Sequence, residues 1–157
     1  AIDPRNFEDI KKADMKIFES LIQIGLFGIM PSHVIYSACD KMPSGLSSFW
    51  LQRQLRDNLE FKGAIFSDDM SMNAAIICSK DIKIRVLMAL NAGCDMVLVC
   101  NSPNDVDLLL NELEWQVTEG SVLRINKMKI NKILATANNY KGFSLAEAQK
   151  FVTNITN

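Results

Sequence analysis

Most features that advertise a function are missing from this sequence. Its 157 residues include one histidine, His33, and four cysteines of which no two have CxxC spacing. That argues against zinc and against a thioredoxin-like redox centre. Cys39, Cys78, Cys94 and Cys100 read instead as reduced thiols of a cytoplasmic protein, with Cys94 and Cys100 in or beside an apolar run where cysteine packs as a small hydrophobe. There is no glycine-rich phosphate loop. No apolar stretch is long enough to cross a bilayer. Neither charge is in excess: the net charge is −1, which speaks against nucleic-acid and anionic-membrane partners. The first residues, Ala1 to Phe7, have neither the basic nor the apolar region of a signal peptide. They also lack an initiator Met and open directly on a helix-start signal, so a trimmed or partial chain is expected.

What is present is an ordinary globular composition, 48% hydrophobic and 22% charged, in a chain long enough for one domain with a real core. Asp3-Pro4 predicts a helix start, with Asp as N-cap and Pro at the first helical position. Phe7, Ile10, Ile17, Phe18, Leu21 and Ile22 form its apolar side, and Gly25 ends it. Leu26 to Met30 reads as a short buried strand stopped by Pro31. A polar loop over about 37–47 leads to a helix ending near Asn58. Gly63 to Ser67 is a second strand, and a short helix is expected within 71–78. A firmer helix runs from about Asp81 to Ala92, with Gly93 as its stop. Asp95 to Cys100 is the third strand. Ser102-Pro103 opens the next helix, with Asp105 completing a capping box. Two helices, about 121–139 and 144–154, finish the chain, the last with Ser144 and Glu147 as a capping box.

Short strands that are apolar on both faces, each separated by a helix, predict an α/β fold with a parallel sheet covered by helices. Ligands of such folds bind at the C-terminal ends of the strands. The three ends are Met30-Pro-Ser-His33, Ser67-Asp68-Asp69 and Cys100-Asn101-Ser102. The middle one is unusual, since an apolar run stops on two adjacent carboxylates. Asp68 is a candidate for catalysis, and Asp69 is equally a candidate N-cap for the following helix. His33 is a candidate site residue or a hydrogen-bonded structural one. Asn101 reads as a turn residue, and Met30 lies beside the site by position. Adjacent carboxylates on extended backbone point apart, so a shared metal is not expected. No nucleophile elbow accompanies Ser67, which argues against a triad.

Three segments carry a family resemblance. Gly63 to Met72 (GAIFSDDMSM), Ile29 to Tyr36 (IMPSHVIY) and Ala92 to Asn101 (AGCDMVLVCN) resemble, in order and spacing, segments of family 3 glycoside hydrolases. They look most like the bacterial β-N-acetylglucosaminidases of peptidoglycan recycling. Phe49-Trp50-Leu51 before Leu55-Arg56 agrees as well. The resemblance covers about residues 3–115. It implies a (β/α)8 barrel, of which this chain supplies the C-terminal part with about three strands, and a retaining mechanism with Asp68 as nucleophile. Asp69 is then a support for the loop or the nucleophile, with His33, Met30 and Asn101 near the sugar.

The resemblance also implies that the acid/base, a His on a mobile loop, lies upstream of this chain. The expected organisation is a barrel half over 1–115 and a helical extension over 116–157. The implied substrate is a muropeptide bearing N-acetylglucosamine, with no cofactor and no metal. Three strands cannot close a barrel. Self-association or an N-terminal half of the same enzyme is therefore the expected partner. The alternative is a silent half-barrel with a structural or oligomer-forming role. An unrelated parallel α/β enzyme with Asp68 as proton carrier is a third reading.

Overall fold

A computed structural model of the protein describes residues 1–129. The expected helix over 144–154, with Ser144 and Glu147, lies outside the described residues, as does the second half of the helix expected over 121–139.

Three parallel strands form the central sheet, in the order β2 (Gly28–Ile29), β4 (Ala64–Asp69), β5 (Met96–Leu98). Helices connect them: the π-wound helix Phe49–Asn58 precedes β4, and α3 (Asn73–Ile76) and α4 (Ile82–Ala92) separate β4 from β5. After β5 come α5 (Pro103–Glu112) and α6 (Glu119–Lys127). This is the predicted parallel α/β arrangement. Ala64 and Ile65 are wholly buried at the centre of the sheet, and Val86 and Ala89 of α4 pack into the same core.

The N-terminus departs from expectation. Ile2–Asp3 is a strand, β1, paired in parallel with β3 (Ile35–Tyr36) rather than a helix start. Asp3 does not cap a helix, because Arg5 captures its carboxylate through both backbone and guanidinium. The cap of α1 (Phe7–Lys12) is Asn6, which accepts from the Asp9 N–H. The single long helix is broken at Ala13, and α2 (Asp14–Gln23) follows. Ile10 is buried as predicted, but Ile17 is 65% and Phe18 43% exposed. Their spacing is helical, yet no described element covers that side of α2.

An aromatic cluster fastens the N-terminal elements to the π-helix. Trp50 lies 5.0 Å from Tyr36, 5.1 Å from Phe49 and 6.0 Å from Phe7, ring centre to ring centre. Such contacts add to simple burial because ring edges and faces carry opposite partial charge. The π-helix ends with the Leu59 N–H on the Gln54 carbonyl, an i→i+5 bond. Gly63 sits where β4 approaches β2 so closely that any Cβ would strike the Phe27 carbonyl. Gly93 ends α4 at φ +121°, a left-handed conformation that glycine adopts without steric cost.

At the end of the sheet away from the Asp68–Asp69 edge, Asp95 collects a dense set of partners. Its carboxylate is 1% exposed and pairs with Arg56 at 2.9 Å and Arg124 at 2.6 Å. It also accepts from the Ile65 N–H and the Ser121 hydroxyl. Arg56 reaches further, to the carbonyls of Phe61 and Gly63. One buried carboxylate thus joins β4, the π-helix and α6. Burial by itself raises the pKa of Asp95. The hydrogen bonds from Arg124, Ser121 and Ile65, with the Arg124 charge, outweigh this and hold it below the ordinary range.

All four cysteines are free thiols. Burial pushes the Cys94 thiol up to about 12, whereas Cys100 is exposed.

Candidate active site

The expected second strand, Gly63 to Ser67, is longer than its apolar run. β4 continues through both carboxylates to Asp69. It does so because β5 keeps pairing with it, through an irregularity. Phe66 faces Met96 and Asp69 faces Leu98, so Ser67 and Asp68 together oppose the single residue Val97. This is a β-bulge, a device that bends a strand and re-aims a side chain.

The bulge disturbs the backbone ladder, and side chains repair it. The Leu98 N–H donates to the Ser67 hydroxyl at 2.9 Å. The Cys100 N–H donates to the Asp69 carboxylate at 3.0 Å. Ser67 and Asp69 therefore both reach toward β5. Asp68 lies between them, half-buried, at the bulge, where the regular alternation of the strand is interrupted. One Asp68 oxygen accepts from the Asp69 N–H at 2.8 Å. The other takes no hydrogen bond among the described residues.

Asp69 has a different job from the N-cap considered above. The cap position of α3 is Met72, three residues on. Asp69 instead closes a turn on Ser71, accepting from its N–H at 2.9 Å and its hydroxyl at 2.7 Å, while holding Cys100. Burial works to raise its pKa, but the Ser71 and Cys100 hydrogen bonds and the nearby His33 carry the balance downward. Asp69 is thus an ionised, fully engaged support.

His33 is 4% exposed, and its Nε2 lies 3.0 Å from the Asp69 carbonyl oxygen. Its Nδ1 is buried without a partner among the described residues. Met30 is 53% exposed beside the β2 end. Asn101 is exposed in the bend after β5. The structure therefore brings His33 and Asp69 into contact and leaves Met30 and Asn101 at the two neighbouring strand ends, neither bonded to the aspartates.

Two supporting residues are not flagged by the motif spacing. Ser67 is wholly buried and serves as a ladder acceptor. Arg85 is 3% exposed on α4, and its Nε donates to the Met70 carbonyl at 3.0 Å, one residue beyond Asp69. Its signal was a charge inside the apolar stripe Ile82, Val86, Ala89. The capping box expected at α5 is also absent: the Ser102 hydroxyl donates to the Asp105 carboxylate at 2.7 Å, and its oxygen accepts from no helix N–H. Among the described residues, no three His, Cys, Asp or Glu side chains converge as metal ligands would.

The sequence pattern described as the glycosyl hydrolase family 3 N terminal domain matches residues 1–136. The chain belongs to glycosyl hydrolase family 3. Within that family it is 48% identical over 127 residues to a β-hexosaminidase of Methylobacillus flagellatus, covering 81% of this chain and 36% of that protein. It is 48% identical over 129 residues to a β-hexosaminidase of Nitrosomonas eutropha, covering 82% and 37%. Among solved family 3 structures, NagZ from Neisseria gonorrhoeae in complex with N-trifluoroacetyl-D-glucosamine superimposes with a TM-score of 0.78 at 32% identity, over 99% of this chain and 44% of that one. The α/β fold is therefore that of part of the family's barrel domain. The chain spans a little over a third of the length of the curated relatives it matches.

Proposed function

We propose that this chain supplies the nucleophile of a retaining β-N-acetylglucosaminidase, with Asp68 as that nucleophile. The observation that carries the reading is the bulge in β4. It separates two adjacent carboxylates by role: Asp69 is bonded to Ser71 and Cys100, and Asp68 keeps one oxygen without a hydrogen bond among the described residues, at the ligand-binding end of the sheet. A glycosidase nucleophile must be fixed and keep an oxygen unshared in this way.

In the reaction the free Asp68 oxygen attacks the anomeric carbon of a terminal N-acetylglucosamine. The glycosidic C–O bond breaks, and the leaving oxygen takes a proton from a general acid. Water then attacks the same carbon, giving its proton to the same group acting as base, and Asp68 leaves with the configuration retained. Among the described residues nothing fills the acid/base role. Asp69 is committed to Ser71 and Cys100, and His33 to the Asp69 carbonyl. The acid/base is therefore sought outside the described residues. The β-hexosaminidase relatives support the glycosidase reading; a cytoplasmic place in peptidoglycan recycling, with muropeptides that carry N-acetylglucosamine as substrate, is the part of the proposal that rests on the motif resemblance.

A specific observation also favours the structural alternative for the chain by itself. A cavity of about 240 Å³ opens between α2 and the π-helix, lined by Phe18, Ile29, Met30, Trp50 and Leu55. In the segment leading into β2, Phe27 is 62% and Ile24 82% exposed. An apolar groove along an unpaired strand edge invites another chain. The occupant that fits is the remainder of a barrel or, failing that, a second copy. The purified 157-residue chain should therefore sediment above its 17.6 kDa monomer mass at micromolar concentration. A monodisperse monomer would remove this reading.

The functional test is a chimaera in which residues 1–129 replace the matching segment of the Methylobacillus flagellatus β-hexosaminidase. It should hydrolyse a chromogenic β-N-acetylglucosaminide, and the chain alone should not. A folded chimaera without activity, or turnover by the isolated chain, would overturn the assignment.

A further inference from the structure

We propose that His33 is a positioning residue that holds the β4 bulge in the shape that aims Asp68. This rests on the functional reading above and adds a specific part to it.

The Asp69 carbonyl can only accept a hydrogen bond, so His33 Nε2 carries a hydrogen and donates it there. Asp69 is the last residue of β4, and the backbone on either side is already held. The Ser67 hydroxyl takes the Leu98 N–H, the Met70 N–H donates to the Leu98 carbonyl at 2.8 Å, and Arg85 takes the Met70 carbonyl. All these bonds run toward β5 and α4. Among the described residues His33 alone reaches the bulge from the other side, out of the connection between β2 and β3, and across 36 residues of sequence.

The ring has little room for another role. It is 4% exposed, and Nδ1 meets no donor or acceptor among the described residues. A buried imidazole with one nitrogen unpartnered is an unfavourable choice for packing alone. Its single directed bond goes to the Asp69–Met70 peptide, one unit beyond the peptide that joins Asp68 to Asp69. Turning the Asp69–Met70 peptide would swing the Asp68 carboxylate, because the Asp69 N–H that Asp68 accepts from belongs to the adjoining peptide unit. The His33 bond therefore acts on Asp68 through the backbone without touching the sugar.

The test uses His33→Leu and His33→Gln in the active chimaera. Leucine fills the space without a donor, while glutamine restores one N–H. In His33→Leu, kcat should fall about 10- to 100-fold with KM changed little, the pattern of a misplaced reacting group. The rate at which a fluorinated N-acetylglucosaminyl fluoride labels Asp68 should fall in parallel. His33→Gln should recover most of both. Equal losses in the two variants, tracking a common drop in melting temperature, would reduce His33 to a packing residue.

A second readout needs no activity. Amide resonances of Ser67, Asp68 and Asp69 in the 157-residue chain should shift in His33→Leu and return toward their original positions in His33→Gln. Unchanged resonances in His33→Leu would overturn the clamp. An inactive unsubstituted chimaera would instead overturn the glycosidase reading, with these resonances still reporting whether His33 shapes the bulge.

Discussion

Replacing Asp68 with Asn in the assembled barrel should lower turnover on the order of 10⁴- to 10⁶-fold, the scale on which removing a catalytic nucleophile acts. The substitution is nearly isosteric, and the hydrogen bond that Asp68 accepts from the Asp69 N–H can still go to the amide oxygen. The fold and the melting temperature should therefore stay close to those of the parent. What is lost is the negative charge that attacks the anomeric carbon and the leaving group that departs in the second step. Labelling by a fluorinated glycosyl fluoride, read by mass on the peptide containing Asp68, should vanish with it. Asp69→Asn makes a useful contrast. Its carboxylate accepts from two groups of Ser71 and from Cys100, so the variant should lose both stability and rate, with Asp68 still labelled. Substantial turnover by Asp68→Asn, with the label on another residue, would move the nucleophile elsewhere.

The largest effect on stability should come from Asp95, at the other end of the sheet. Asp95→Ala leaves Arg56 and Arg124 with no carboxylate in a poorly hydrated site, where their side chains are 13% and 27% exposed. It also strands the Ile65 N–H inside the wholly buried stretch of β4. Breaking one partner of a buried ion pair costs about 3–5 kcal/mol, a large share of the total stability of a domain this size.

The pH dependence has a definite direction. The carboxyl is held below its ordinary value of 3.8 in the folded protein. It binds a proton more readily when unfolded, so its contribution is complete above the ordinary value. That contribution fades as pH falls through the lower folded value. Chemical denaturation followed from pH 7 downward should show the parent losing stability on that acid limb. Asp95→Asn should start lower and lack this part of the slope. An unchanged midpoint in Asp95→Ala would mean that the two arginines find other partners at no cost.

The chain's own amino-acid order determined the class of fold. Apolar runs at 26–30, 63–67 and 95–100, each followed by a helix-forming stretch, could only satisfy both faces in a covered parallel sheet. It also determined the stop at Gly93, because a left-handed residue there favours glycine. Asp68 and Asp69 were visible as candidates because carboxylates at a strand's end are exceptional. Their division of labour was not visible. It depends on β5 pairing with β4 through a bulge, and the register of two strands some thirty residues apart is not encoded in the spacing of either.

The start of the chain shows the same limit. Asp3-Pro4 carries good local helix-start chemistry, yet Arg5 takes the carboxylate and β3 takes the backbone. Ser102 has a capping residue's identity but spends its hydroxyl on Asp105. His33, Ser67, Arg85 and Asp95 acquire their roles only when segments from different strands and helices meet. Local sequence fixes which torsions and periodicities are cheap. Only tertiary contact decides which donor reaches which acceptor, because several partners compete for each group and burial selects among them.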